Sequence, residues 1–240
     1  MLAKLILYSL LTQFNLHPPS RRFTNPRLAN LATAFQTQFM ANLPTDDIVA
    51  ENTISNTFNF QIVTYIDLRQ NNSIESIITN IINIISNDNN EARDFAVLAS
   101  STKLLRNIDI LYRQRTNEQT EITFISNETL ERLKQIHQVT DEKAANWKFN
   151  RDFEALERTR KQLFTTDKRC LKISTIQSFK GWESPSVIVI LENDIVLHNT
   201  TFRPMSPQTI YTAITRAREN MYIINIGNDT YHNFFYNQTL

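Results

Sequence analysis

The stretch KISTIQSFKGWESPSVIVIL, residues 172–191, contains two apolar, β-branched runs separated by a short polar segment. Each run has the length and composition of a buried strand. The segment between them is short for a crossover between parallel strands, so only a compact turn or helix fits there. Strands of this kind are typical of a parallel sheet covered on both faces.

Strand and helix patterns alternate along much of the chain. Further strands are predicted at 58–66, 94–100, 121–126 and 220–226, and helices at 73–86 and 102–114. This alternation predicts an α/β layered domain. Residues 127–165 interrupt this alternation with two amphipathic patterns, which predict a helical hairpin inserted between strands.

The inserted hairpin and the strand after it are rich in charge. The basic residues are Arg151, Arg158, Arg160, Lys161, Lys168, Arg169 and Lys172, and four acids are interleaved with them. Interleaved charge on a helix is typical of a solvated face with ion pairs one turn apart. This pattern favours a solvated face over a DNA-binding patch.

Composition narrows the class of protein. The 240 residues are 41% hydrophobic and 20% charged, which fits one large domain or a core with an insertion. With a net charge of +1, nucleic-acid binding would need a local basic patch. The single cysteine, Cys170, predicts a reducing compartment, the cytoplasm. No apolar run approaches the ~20 residues of a membrane span, and the four histidines lack metal-ligand spacing.

Glycine is rare, with only Gly181 and Gly227 in the whole chain. A phosphate-cradling P-loop needs glycines before Lys-Ser or Lys-Thr, and neither glycine has that context. A dinucleotide-binding fingerprint needs more than two glycines. The chain therefore lacks the usual means of holding a nucleoside triphosphate by itself.

Residues 206–219, SPQTIYTAITRARE, have the pattern of a helix. Ser206 can cap it, and Pro207 suits the first helical position. On a continuous helix, Arg216 and Arg218 would lie roughly 200° apart, on opposite flanks of the apolar stripe. We expect them to serve different partners and to bring at least one guanidinium to the ligand-binding edge of the sheet. The alternative is a solvated arginine or a surface ion pair.

The polar segment within 172–191 carries a second set of candidates. Gly181 would allow a positive φ or close approach of a ligand to the backbone. Glu183 could accept hydrogen bonds from a sugar hydroxyl, and Gln177 could contact a phosphate. The structural alternatives are a turn glycine and a surface carboxylate.

Together the two stretches resemble motifs V and VI of the UvrD/Rep-like superfamily 1 helicases. STIQSFKGWESPSVIVI (174–190) resembles motif V, T-I-H-x-x-K-G-x-E before a strand, and YTAITRAREN followed by MYII (211–224) resembles motif VI. Residues 93–112 and 20–39 are similar to the start of the second motor core and to motif IV. The resemblance implies a RecA-like (P-loop NTPase-type) layered fold with a mostly parallel sheet.

The resemblance also implies roles for residues. Arg216 matches the arginine that reaches the γ-phosphate of ATP, a contribution on the order of 10³–10⁵ in rate. The other implied ATP contacts are Glu183 at the ribose, Gly181, Arg218 and Arg22. The implied DNA contacts are Thr175, Gln177, Lys180 and Thr102.

The sequence departs from the family pattern at three places. Gln177 replaces the usual histidine and cannot become cationic. Trp182 replaces an aliphatic residue, for packing or for base stacking. Either Arg21 or Arg22 could be the motif IV arginine, whereas an alignment on Asn25-Pro26 places Thr24 there.

Walker A, Walker B and motif III are absent, so the resemblance implies the second RecA-like domain alone. The expected organisation is a helical segment with motif IV (1–50), the first part of the RecA-like domain (51–126), an insertion (127–168) and a second part with motifs V and VI (169–240). The implied partners are a first motor domain, which would bring most of the ATP and Mg²⁺ site, and single-stranded DNA. The alternatives are a non-catalytic binding or regulatory module and an unrelated α/β enzyme that uses Arg216 or Arg218 to bind an anion.

Overall fold

The computed structural model describes residues 25–41, 63–88, 90–140, 146–193 and 205–238. Within these ranges the elements, in chain order, are α1 (Pro26–Phe39), β1 (Val63–Asp67), α2 (Ile74–Asn87), β2 (Phe95–Ala99), α3 (Thr102–Thr116), β3 (Thr120–Ile122), α4 (Asn127–His137), α5 (Trp147–Leu163), β4 (Leu171–Thr175), β5 (Ser184–Leu191), α6 (Pro207–Ile214), β6 (Ala217–Asn225) and α7 (His232–Asn237). Arg21, Arg22 and Thr24 lie outside the described residues. In the described part of the chain, no helix has the length and apolar character to cross a membrane.

The six strands form one sheet in the order β1-β6-β5-β2-β4-β3, and every pair of neighbours is parallel. The central strand β2 is buried along its whole length. Strands buried on both faces read as continuous apolar runs, which is why the sequence pattern was informative. The predicted α/β class with a parallel sheet is confirmed, and the architecture is consistent with a RecA-like layered fold.

Helices cover both faces of the sheet. Residues of α1, α6 and α7 pack in one hydrophobic cluster, and residues of α2 and α3 pack in another. Alternate strand residues supply the two clusters: Ala96 and Leu98 face the first, and Phe95 and Val97 face the second. This is the period of two that a strand imposes on its side chains.

Serine side chains cap four of the helices. Ser73, Ser101, Ser126 and Ser206 each accept a hydrogen bond from the backbone N–H three residues later. A capping oxygen satisfies a donor that the first helical turn leaves without a partner. The capping by Ser206 that the sequence predicted is confirmed.

The predicted inserted hairpin is present as α4 and α5, between the neighbouring strands β3 and β4. It has a small core of its own, formed by Ile125, Leu130, Leu133, Val139 and Phe149. Strand β3 ends at Ile122, earlier than the 121–126 run predicted, because the chain turns there toward the capping residue Ser126.

The helix predicted over 206–219 is shorter than expected. It ends at Ile214, and Ala217 begins β6 through pairing with Ser184 of β5. Arg216 therefore lies in a turn and Arg218 in a strand, so the expected placement on opposite flanks of one helix is wrong. Strand pairing overrides the local helical pattern at this point.

Candidate functional site

The turn that follows β4 contains candidate DNA-contacting and nucleotide-contacting residues, and it places them at both edges of the sheet. The backbone N–H of Ile176 donates to Ala99 O at 3.0 Å, and that of Phe179 donates to Thr175 O at 3.0 Å. The side chain of Phe179 is fully buried in the core, which anchors the turn against the sheet. Since β4 and β5 are parallel, this segment runs from the edge where strands end to the edge where strands begin. We call these the carboxyl edge and the amino edge.

Three segments far apart in sequence meet at the amino edge. The N–H of Ser184 donates to Arg216 O at 3.0 Å, and Asn25 N donates to Arg218 O at 3.1 Å. The Asn25 side chain also donates to Glu219 O at 3.0 Å. The start of α1, the end of the motif V-like stretch and the motif VI-like arginines are therefore neighbours.

Arg216 is buried at this edge, with 8% of its surface exposed. Its Nε donates to Thr212 O at 3.2 Å, Nη1 to Trp182 O at 3.2 Å and Nη2 to Thr215 Oγ1 at 3.1 Å. Polar atoms surround the guanidinium, as a buried charge requires. Because Arg216 directly precedes β6, its guanidinium lies at the amino edge and not at the carboxyl edge.

The other candidates for nucleotide contact are more accessible. Arg218 is exposed at the second position of β6, and Glu183 is half-buried beside Trp182. Gly181 is exposed and has φ of +97°. The Trp182 ring packs on Phe164, with 5.5 Å between ring centroids, so it contributes to the core.

The positive φ of Gly181 explains its presence, and it yields a stability prediction. A Cβ added there would meet no heavy atom within 4 Å, so alanine would suffer backbone strain without a steric clash. We expect Gly181→Ala to reduce the free energy of unfolding by about 1–3 kcal/mol in urea denaturation. Lys180→Ala, at the exposed neighbouring position, is the control and should change it far less. A loss of unfolding free energy in Gly181→Ala that is as small as the loss in Lys180→Ala would show that the turn tolerates a side chain at position 181.

Hydroxyl and amide groups gather at the carboxyl edge. Thr175 Oγ1 accepts from Ser178 N at 3.1 Å, and Gln177 Nε2 is 3.4 Å from Thr209 Oγ1. Thr102 begins α3 directly after β2, at the same edge, and is half-buried. Three of the four residues proposed for DNA contact thus share one edge, whereas Lys180 lies farther along the turn and is exposed.

Glu192 is a feature of the carboxyl edge that the sequence reasoning missed. One of its carboxylate oxygens accepts from Ser100 N at 2.6 Å and from Ser101 N at 3.0 Å, at the start of α3. Burial raises the pKa of Glu192, although these two N–H groups act in the opposite direction. The available signal was an acid placed directly after the buried strand β5.

The raised pKa of Glu192 predicts a pH dependence of stability. The folded chain binds this proton more tightly than the unfolded chain, so ionisation of Glu192 destabilises the fold as pH rises from the unfolded value of about 4.3 through the higher folded value. Glu192→Gln removes this titration. We expect the unfolding free energy of the unmodified chain to fall relative to the variant over that window, measured by urea denaturation at several pH values. If the unfolding free energy of the unmodified chain, minus that of Glu192→Gln, stays constant or rises with pH over this window, the assignment is wrong.

Comparisons with known proteins give little further evidence. No family model matches the chain, and no curated protein matches it. Among solved structures, the chain is similar to the C-terminal domain of a possible DNA helicase from Lactobacillus plantarum WCFS1. The sequence identity is 14%, the alignment covers 82% of this chain and 85% of that one, and the TM-score is 0.40. A likeness this weak carries no argument about function.

Proposed function

We propose that the chain is the C-terminal motor domain of an ATP-dependent superfamily 1 DNA helicase or translocase. It would complete an ATP site that a first RecA-like domain holds for the most part. The convergence of Asn25, Ser184, Arg216 and Arg218 at the amino edge is the observation that supports this. Those residues belong to the stretches that resemble motifs IV, V and VI.

The residues present fit a partial nucleotide site. Glu183 offers a half-buried carboxylate and Arg218 an exposed guanidinium, in the two segments that meet at Ser184 and Arg216, and no heavy atom lies within 4 Å of a Cβ built on the exposed Gly181. When bound, ATP would supply the phosphoryl group that is transferred to water. Arg216 would offer positive charge to the γ-phosphate, and Glu183 would accept a hydrogen bond from the ribose.

The remainder of the site must come from a partner domain. The chain has no glycine-rich loop that could cradle phosphates. In the ranges that the structure describes, no three His, Cys, Asp or Glu side chains are grouped to hold a metal ion. Mg²⁺ and most phosphate contacts would therefore belong to the first motor domain.

Single-stranded DNA would bind at the carboxyl edge, through Thr102, Thr175 and Gln177, with Lys180 nearby. These side chains offer neutral donors and acceptors together with one cation. Contacts of this kind suit the phosphate backbone, which makes binding independent of sequence and weaker at high salt.

A second candidate function is a non-catalytic nucleic-acid-binding or regulatory module with the same fold. The observation in its favour is that all three nitrogens of Arg216 already donate to acceptors within the chain. A contact with ATP would have to replace at least part of this set with the stronger, charge-assisted bonds that phosphate oxygens accept.

The decisive experiment is complementation of ATPase activity. The isolated chain should hydrolyse essentially no ATP, and adding a first motor domain with a Walker A motif from the same genome should restore DNA-stimulated hydrolysis. Absence of restoration by any such domain favours the non-catalytic module. Turnover by the isolated chain that is lost in Arg216→Ala would overturn both candidates.

A further inference from the structure

A negative charge without a cationic partner lies at the carboxyl edge of the sheet. Glu192 directly follows β5, and a single carboxylate oxygen, Oε2, accepts from both Ser100 N and Ser101 N. Asn228 Nδ2 donates to the backbone oxygen of Glu192 at 3.0 Å, which fixes the main chain. Lys103, in the first turn of α3, is exposed, and no charged side chain in the described ranges contributes to the pKa of Glu192.

Two of the residues proposed to contact DNA lie next to the amides that hold this carboxylate. Thr102 comes directly after the two serines and begins α3. Thr175 pairs with Ala99, the residue that precedes those serines, in the neighbouring strands β4 and β2. A phosphate held at either threonine would therefore approach the negative charge of Glu192, where like charges repel each other.

Anchoring the start of α3 does not require this charge. Both hydrogen bonds go to one oxygen, so the carbonyl oxygen of a glutamine could accept both of them. A helix start favours an anion, but burial outweighs that effect here, because the pKa of Glu192 is raised. The ionised carboxylate therefore lowers the stability of the fold, and packing alone gives no reason for its presence.

We propose that Glu192 limits the strength of DNA binding at the carboxyl edge, because its ionised carboxylate repels the phosphates that Thr102 and Thr175 would contact. Uptake of a proton by Glu192 removes this repulsion. The inference rests on the DNA binding of the proposed function and adds the group that regulates it. A translocating motor must release its contacts with the strand at every step, and a fixed negative charge beside those contacts keeps them weak.

Glu192→Gln tests the proposal, because it removes the charge and can keep both hydrogen bonds. Binding is measured by the anisotropy of a labelled thymidine oligonucleotide of about 16 nucleotides. At about pH 7.5 the variant should bind about 3- to 30-fold more tightly than the unmodified chain, as expected for repulsion between partly screened charges. Thymine does not titrate in the acidic range, so the same oligonucleotide serves at lower pH.

The pH profile separates repulsion from a change in structure. As the pH falls toward the raised pKa of Glu192, the unmodified chain takes up the proton and loses the repulsion. The ratio of the two dissociation constants should therefore approach 1 on acidification. Protonation of other groups strengthens binding in both chains and cancels in this ratio, and a structural effect of the variant would leave the ratio independent of pH.

Glu118→Gln is the matched control, because it removes the same charge from an exposed position just beyond the other end of α3. It should leave the affinity unchanged. The proposal is overturned by an equal gain in Glu118→Gln, by equal affinities of the unmodified chain and Glu192→Gln at neutral pH, or by a ratio that does not change with pH. In these three cases the DNA binding of the proposed function stands. Absence of binding by both chains at every pH would contradict the proposal and the DNA contact together.

Discussion

Arg216→Ala should lower DNA-stimulated ATP hydrolysis of the chain combined with a first motor domain by a factor on the order of 10³–10⁵. The reason is the loss of the cation proposed to stabilise charge on the transferring phosphoryl group. The measurement is kcat at saturating ATP and DNA. Because Arg216 is buried and hydrogen-bonded, alanine should also destabilise the fold by about 1–3 kcal/mol, so kcat must be normalised to the folded fraction determined by circular dichroism.

Two further variants separate the role of the charge from the role of the packing. Arg216→Lys keeps a cation but cannot reproduce three donors directed at Thr212, Trp182 and Thr215, so most of the loss should persist. Arg218→Ala removes the same charge from an exposed position and should cost less activity. A larger loss in Arg218→Ala would assign the phosphate contact to Arg218. Retained activity in Arg216→Ala would show that Arg216 is structural and does not contact the γ-phosphate.

The sheet could be predicted because its strands are buried on both faces. Runs such as 186–191 have few polar residues to obscure the pattern, and the capping residue Ser206 marked the start of a helix. The pattern could not predict the position at which the helix ends and the strand begins. Ala217 continues the helical apolar stripe in sequence, yet its pairing with Ser184 belongs to a different part of the chain.

The burial and the hydrogen-bond partners of the candidate residues also could not be predicted from the local sequence. The acceptor Trp182 O reaches Arg216 from 34 residues away, and the amide donors of Ser100 and Ser101 reach Glu192 from the end of the neighbouring strand β2. A sequence motif specifies which side chains are present near a strand end. Their burial and partners depend on the whole fold, which is why the enclosure of Arg216 by three acceptors could not be predicted from the motif.

Phe35→Ala should reduce the free energy of unfolding by about 3–5 kcal/mol. The ring is fully buried at the centre of an aromatic cluster, with ring centroids of Phe39, Phe234, Tyr231 and Phe235 at 4.8, 5.3, 5.5 and 6.0 Å. Alanine would remove contacts with all four rings, and the two helices that meet there cannot close the space without moving. Urea denaturation followed by circular dichroism measures the loss.

The destabilisation caused by Phe35→Ala should extend to the amino edge, because Phe35 anchors the helix that begins beside Asn25. In Phe35→Ala, the amide of Asn25, which donates to Arg218 O, should exchange its hydrogen faster under native conditions, because the variant weakens the packing that holds α1 on the sheet. Phe39→Ala is the control on the same helix, because Phe39 is only half-buried and should cost less. A loss below about 1 kcal/mol for Phe35→Ala would mean that the fold does not depend on α1. Helix α1 would then contribute little to the stability of the fold, and Asn25 would have no part in shaping the proposed nucleotide site.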